Sequence, residues 1–585
     1  MEKNNFQELY QSSLAQTKNY KNQSNIIAFI RFLLMVLMIG SLLYGYFQGV
    51  YRLYILSCLL FVFFLYLIHI HKKVYKKIEY YASQSQVYLE HDLRVQHQWK
   101  TFSCSGDEYL DGDTLSQDLD VFGNCSLFQF LNVTFTNKGK NKLAEVLKKG
   151  CLQDDFKKRQ QALLGLVEHR DFFYSMQTYG YMMRYQSQDF LNDIQRDLGV
   201  GKLTKFLFVL PIMTLISVVL CCFSIFQPYS YLILEIGFVS QIILSIFFLK
   251  QHQSLFDPIL KMNKSIQKYQ QIFQLIYQTD FSDEYIHEIK FKLFEQSNVL
   301  EGIKELSRIS SKVSNRYNIF AYVLLNGFCL YDIFLRNEYI SWHQKYQKDF
   351  MIWFDELAKL EVLMSLAVVG VDGFDVTLPE IHQEMTLSFE DLRHPLIRQD
   401  KVIGNDFHIQ SHTNIITGSN MSGKTTFMRT IGLNLILAYA GGFVFASQMH
   451  CSYMYILTSM RVKDNVEEGV STFYGELLRI KQMIDYSQKG LPMICLIDEI
   501  FKGTNSLDRI AGAKATLERL SLPYNYTFLS THDFELCHIE NFKYHNYHFE
   551  EYYKDNHIYF DYLIKDGPAK STNGQFLLKQ LGIMK

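Results

Sequence analysis

The sequence predicts an α/β domain of the P-loop type, an all-α section with long lever helices, and four transmembrane helices in two hairpins. Three observations carry this reading. Residues 418–425 read GSNMSGKT, a glycine-framed turn closed by lysine and threonine. Four apolar runs, at 26–47, 51–70, 206–226 and 229–249, fall into two tight pairs. Between them and the glycine turn lie two stretches whose apolar residues recur at spacings of three and four, as on a helix face. At 585 residues the chain is long enough for several domains.

Each apolar run is about as long as a helix needs to cross roughly 30 Å of hydrocarbon. The alternative, a buried core helix, is hard to place four times over in tight pairs. The flanks set an orientation. Lys72, Lys73, Lys76 and Lys77 follow the second run, Lys202 and Lys205 precede the third, and Lys250, Lys261 and Lys264 follow the fourth. The hairpin tips carry only Arg52 and the pair Gln227-Pro228. The positive-inside rule then puts both termini and all large polar segments in the cytoplasm of a multi-pass membrane protein. Arg31 lies near the inner end of its run and is expected to snorkel to the head groups. Glu235, near the outer end of the fourth run, reads as a hydrated or helix-paired acid.

Composition limits the partners. Net charge is −1, from 58 basic and 59 acidic side chains, so no global positive field announces a nucleic acid. Ten cysteines include no CxxC pair, which argues against a zinc or disulfide framework and fits a reducing compartment. No cleavable signal peptide is expected.

The domain organisation follows: a cytoplasmic segment at 1–25, the first hairpin within 26–70, and a linker with some helix at 71–119. A helical core spans 120–200, the second hairpin 205–249, lever helices 250–370 and the α/β domain 371–585. Ile259, Met262, Ile266, Tyr269, Phe273 and Ile276 form one seam. Val299, Ile303, Leu306, Val313 and Tyr317 form a second, interrupted by Ser310. Both read as packing stripes.

The glycine turn fits GxxxxGK[ST]. Its glycines let backbone N–H groups curl toward phosphate oxygens, so residues Gly418, Ser419, Asn420, Met421, Ser422, Gly423, Lys424, Thr425 and Thr426 are expected to hold ATP. Lys424 would reach the β- and γ-phosphates, and the Thr425 hydroxyl would ligate Mg²⁺. A β-branched run precedes the turn, and a helix-compatible run follows it. The run MICLIDE at 493–499 reads as a buried parallel strand ending in two acids, 74 positions downstream of the lysine (498 − 424). Asp498 would hold Mg²⁺ and Glu499 would orient the attacking water. TFLSTHD at 527–533 is another apolar strand, ending at His532, which is placed to sense the γ-phosphate.

These residues resemble the MutS ATPases, relatives of the ABC-type ATPases, and the resemblance implies that the α/β part is an ABC/MutS-type P-loop NTPase. TGSNMSGKTT at 417–426 resembles that family's P-loop, with Ser419 and Ser422 where proline and glycine are common. DEIFKGTNSLD at 498–508 resembles its acidic strand end. STFYGE at 471–476, preceded by Asp464, resembles its signature segment, and Ser530-Thr531-His532 its histidine switch. Upstream, 120–132 resembles the start of the helical core and 361–367 the end of the lever. His394-Pro395 and Asn405-Asp406 resemble the segments entering the ATPase domain. The likeness covers roughly 120–200 and 250–585.

The resemblance implies a homodimer in which Ser471 of one subunit completes the other's site at the γ-phosphate. Asn420 is a weaker candidate for organising that site, and Ser471 also reads as a plain helix cap. The pattern departs from the family in lacking room for mismatch-reading and connector domains before the helical core. Only about twenty residues, Tyr277 to Ser297, separate the two seams, too few for an ordinary DNA clamp. The expected function is a membrane-anchored ATP hydrolase working on mismatched or branched DNA near the bilayer, with DNA an unproven partner. Two alternatives stay open: a nucleotide-switched membrane module organising protein partners, and an ABC-like transporter. Against the transporter stand the four spans and the absence of an LSGGQ-like segment.

Overall fold

The computed structural model describes residues 5–110, 112–151, 155–183, 209–222, 229–247, 249–316, 319–461, 472–539, 543–554 and 557–569. Its longer helices are numbered here in chain order. The first two, α1 (Phe6–Gln48) and α2 (Arg52–Val95), form an antiparallel hairpin. It turns at Gly49, whose φ of 64° is left-handed and suits a residue without a side chain. Within the apolar stretch Ser41 and Ser57 share a hydrogen bond of 2.5 Å. Otherwise the hairpin presents a coat of exposed apolar side chains, Phe29, Phe47 and Val62 among them. Both helices are long and apolar enough to cross a membrane.

Two features differ from expectation. The segment following the second run is one unbroken helix as far as Val95. Arg31 turns onto the partner helix, 2.9 Å from His71 Nδ1 and over the Phe64 ring, with its Nε left without a hydrogen-bond partner.

The second expected hairpin is represented by α6 (Val209–Cys222) and α7 (Tyr229–Phe247), after α3 (Asn137–Lys149), α4 (Phe156–Glu168) and α5 (Arg170–Tyr181). Leu215, Ile233 and Ile243 on these two helices are exposed. The rest of the third run lies outside the described residues. Helix α8 (Leu249–Gln278) follows α7 directly. Helix α9 (Val299–Asn315) packs against α8, and a further apolar helix, α10 (Ile319–Cys329), packs on α7. A small polar network joins this apolar group. Gln241 donates to Thr214 at 3.0 Å, and the hydroxyls of Ser245 and Tyr322 are 2.8 Å apart. The sequence reading did not anticipate α10, which at eleven residues is too short to pass a crossing test alone.

The chain bends by 86° into α11 (Tyr331–Val371) at Leu330, whose φ is 47°. Asn326 accepts the Asp332 N–H there, and Arg316 pairs with the buried Asp332 at 2.8 Å, so the broken turn leaves no bare charge. With 41 residues α11 is about 60 Å long.

Both seams are buried. Ile259, Ile266, Phe273 and Ile276 face Val299, Ile303, Leu306 and Val313 in one cluster. Ser310 sits in the seam because its hydroxyl donates to the Ile259 carbonyl and lies 3.0 Å from Asn263 Oδ1. The side chains of Met262 and Tyr317 lie outside the described residues. Gly302 makes room for the edge of the Trp353 indole against α9, since a Cβ there would come within 2.3 Å of it.

Residues 380–566 carry two sheets. The smaller has the order β1 (Glu380–His382), β5 (Gln448–Ser452), β2 (Leu387–Leu392), β3 (Asn405–His408). The larger has six strands: β10 (His557–Asp566), β9 (His545–Lys554), β4 (Thr413–Thr417), β8 (Asn525–Thr531), β7 (Met493–Asp498), β6 (Tyr455–Ser459). Its strands run parallel except β10, which pairs antiparallel with β9. All of β4 and β8 is buried, as central strands of a parallel sheet covered on both faces should be. Helices α12 (Lys424–Tyr439), α13 (Thr472–Ser487) and α14 (Ser506–Leu520) follow β4, β6 and β7.

Buried polar contacts tie the helices to one another and to this α/β domain. Glu361 on α11 accepts the N–H groups of Phe135 and Thr136 at 2.8 and 2.9 Å. Asp118 accepts the N–H groups of Met460 and Arg461 and pairs with Arg479 at 2.9 Å. His91 and Arg94 on α2 both bind Asp372, the residue just past α11, at 2.5 and 3.3 Å. The open end of the N-terminal hairpin is therefore joined to the point where α11 enters the α/β domain.

Candidate nucleotide site

The site forms where β4 stops in the middle of the larger sheet. At Gly418 the backbone takes φ 149°, and a Cβ would fall 2.8 Å from both the Phe549 carbonyl and Ser422 Oγ. Gly423 takes φ 113°, and α12 starts at the next residue. Only glycine meets both demands without strain. The turn thus delivers the free N–H groups of the first turn of α12 to one point.

Lys424 is 5% exposed. Its Nζ donates to the Gly418 and Ser419 carbonyls at 2.9 Å each and lies 3.4 Å from His532 Nε2. The Thr425 hydroxyl donates to Asp498 Oδ2 at 2.9 Å, and the Ser530 hydroxyl donates to Oδ1 of the same carboxylate. Asp498 ends β7, and Ser530 is its partner in register on β8. Glu499 follows with a left-handed φ of 53°. Its carboxylate lies 3.0 Å from His532 Nε2 and 3.0 Å from Lys502 Nζ. Asn420 Oδ1 is 2.8 Å from the same histidine nitrogen.

The electrostatics follow from this packing. Burial pushes Lys424 down to about 8, against the opposing pull of Glu499 and Asp498. Hydrogen bonding from His532, reinforced by Lys502, outweighs burial and holds Glu499 at about 2. Glu499 is ionised at any working pH. Lys424 binds a proton more weakly than an unfolded lysine, so the fold gains stability as pH rises from about 8 toward the ordinary lysine value of about 10.4. Anion binding runs the other way, because the phosphates need the charged form. Nucleotide affinity, followed by titration calorimetry, is expected to be level between pH 6.5 and 7.5. Above about 8 it should fall, approaching tenfold per unit. A level profile to pH 9.5 would contradict this setting of Lys424.

Beside the turn opens a cavity of about 580 Å³. One wall is the turn and Glu499, and the other is Leu392, His394, Ile397, Ile403, Phe549 and Tyr562. Burial, with Arg429 nearby, pushes His394 down to about 4, so its ring is neutral. Flat neutral rings and aliphatic side chains at one end and a cationic turn at the other suit a planar base carrying phosphates. Sequence reasoning missed this wall, since its residues come from segments far apart in the chain and no single stretch carries a signal.

The residues present fit a magnesium-bound nucleotide. The Ser422 hydroxyl is fully buried without a hydrogen-bond partner, inside a turn whose lysine is held only by carbonyls and an imidazole. Thr425 and Asp498 supply the hard oxygen donors that Mg²⁺ prefers. Of the expected site residues, the structure brings together the turn, Lys424, Thr425, Asp498, Glu499 and His532. Met421 stands at its tip, 83% exposed. Thr426 lines the cavity. Asp464 and Ser471 lie outside the described residues. Glu476, farther along the same segment, is buried and accepts the Phe501 N–H. It anchors α13 to the turn after Glu499.

Residues 414–583 match the MutS domain V family model. Among curated proteins the chain is similar to the DNA mismatch repair protein MutS of Aquifex pyrophilus, with 30% identity over 237 residues, 39% of this chain and 27% of that protein. It is also similar to the DNA mismatch repair protein MutS of Carboxydothermus hydrogenoformans, with 33% identity over 205 residues, 34% of this chain and 24% of that protein. The matched region spans about a quarter of the length of either relative.

Proposed function

Because the chain belongs to the MutS family through its domain V, we propose that it is a membrane-anchored ATP hydrolase that works as a homodimer on mismatched or branched DNA near the bilayer. The convergence of Lys424, Thr425, Asp498, Glu499 and His532 on one turn carries the ATPase reading. Lys424 and the N–H groups of the turn bind phosphate. Thr425 and Asp498 would hold Mg²⁺, which supplies charge neutralisation to the phosphates when bound. Glu499 orients the attacking water, and His532 holds Glu499 and Asn420 in register. Ser471 is assigned to the partner's site, across the dimer.

Four apolar helices, α1, α2, α6 and α7, are the proposed membrane spans, with both termini and the ATPase domain in the cytoplasm. The DNA role rests on the relatives' name as mismatch repair proteins. A second reading, a nucleotide-switched membrane module, is favoured by one observation. Lever helices α8 and α11 issue directly from the apolar helices α7 and α10. Only a short helix, Glu284–Lys290, and one further turn join α8 to α9.

The full chain in lipid nanodiscs separates the two readings. Heteroduplex or four-way-junction DNA is expected to stimulate ATP turnover, with binding that weakens steeply as salt rises. Intact turnover indifferent to every DNA at low salt would remove the DNA role and leave the module.

A further inference from the structure

Outside the nucleotide site, one cluster of side chains converges without a role in the mechanism. Strand β1 pairs parallel with β5, placing Glu380 opposite His450 and His382 two residues along the same face. His382 Nε2 lies 3.2 Å from His450 Nδ1. Glu380 Oε2 lies 3.3 Å from His450 Nδ1 and 3.9 Å from His382 Nε2. Among the described residues no lysine or arginine pairs with Glu380, and this is the one group of three or more such side chains whose donor atoms share a small volume.

We infer that Glu380, His382 and His450 form a binding site for one divalent transition-metal ion of the zinc class. Two donors at about 2.0–2.1 Å from a tetrahedral ion stand roughly 3.3 Å apart, close to two of the three separations here. Two imidazoles and a carboxylate suit zinc, cobalt or nickel better than magnesium or calcium. Because the ligands sit on paired strands, their spacing is set by the ladder. The exposure of Glu380 and His382 leaves a fourth position open to water. The site has a structural consequence. Strand β1 is three residues long, lies at the sheet edge, and is the first strand after the lever. An ion bridging it to β5 clips the lever's exit onto the α/β domain.

The test uses the full chain without a polyhistidine tag, stripped of metal, in nanodiscs with millimolar MgCl₂ to occupy the oxygen site. ZnCl₂ is titrated against a chromophoric chelator. The wild-type chain is expected to bind one more zinc ion than the His382→Ala/His450→Ala chain, and Glu380→Gln should weaken that site at least tenfold. Glu380 and His382 are exposed and His450 is half-buried, so the substitutions empty no core and far-UV circular dichroism should match wild type. Co²⁺ at this site should give a visible d–d band without the near-ultraviolet thiolate band that cysteine ligation would produce. Equal zinc stoichiometry and affinity in wild type and double variant, or a thiolate band, would overturn the inference.

Discussion

A Lys424→Ala chain is expected to bind ATP about a hundred- to ten-thousandfold more weakly than wild type. A hydrogen bond to a charged group is worth about 1.5–3 kcal/mol, and an ammonium shared between two phosphates makes at least two. The fold itself should survive. Without nucleotide, Lys424 is a nearly buried cation held by two carbonyls and one histidine nitrogen, a costly arrangement that alanine relieves. The nucleotide-free variant should therefore melt no lower than wild type, while equilibrium dialysis with labelled ATP shows the loss. Wild-type affinity in that chain would remove the 418–425 turn from phosphate binding.

The second large effect concerns Glu499. Glu499→Gln should bind ATP within a few-fold of wild type and lower turnover by about two to three orders of magnitude, the usual cost of removing one well-placed electrostatic partner. With its acidity held at about 2, Glu499 is a weak proton acceptor, so its share of the rate lies in orienting and polarising water. In the resting arrangement its carboxylate is occupied by His532 and Lys502. Those contacts must loosen before water can take their place, and the left-handed backbone at Glu499 keeps the side chain close to the turn. Single-turnover kinetics isolates this step, and an unchanged rate would assign the water to another residue.

What could be read from the sequence was what lies in contiguous stretches. The turn, the acidic strand end and the histidine strand each combine a short apolar run with polar residues at its C-terminal edge. Parallel sheet packing then brings those edges together. The base-side wall could not be read, because His394, Phe549 and Tyr562 meet only after β4, β9 and β10 have paired. The long continuation of α2 was obscured by its polar composition. Its helical state depends on partners distant in sequence, such as Phe6 stacking on His91 and the pairing of His91 with Asp372. Helix α10 was missed for the opposite reason. Its apolar run is short, and only its packing on α7 and the bend at Leu330 separate it from the lever.

Mass photometry of the Glu499→Gln chain in nanodiscs, with and without saturating ATP and Mg²⁺, tests the paired-site proposal most directly. Two chains associating only when nucleotide is present, and parting when Lys424→Ala is added, is the expected result. A chain that stays single at saturating ATP, with the nucleotide demonstrably bound, would contradict it.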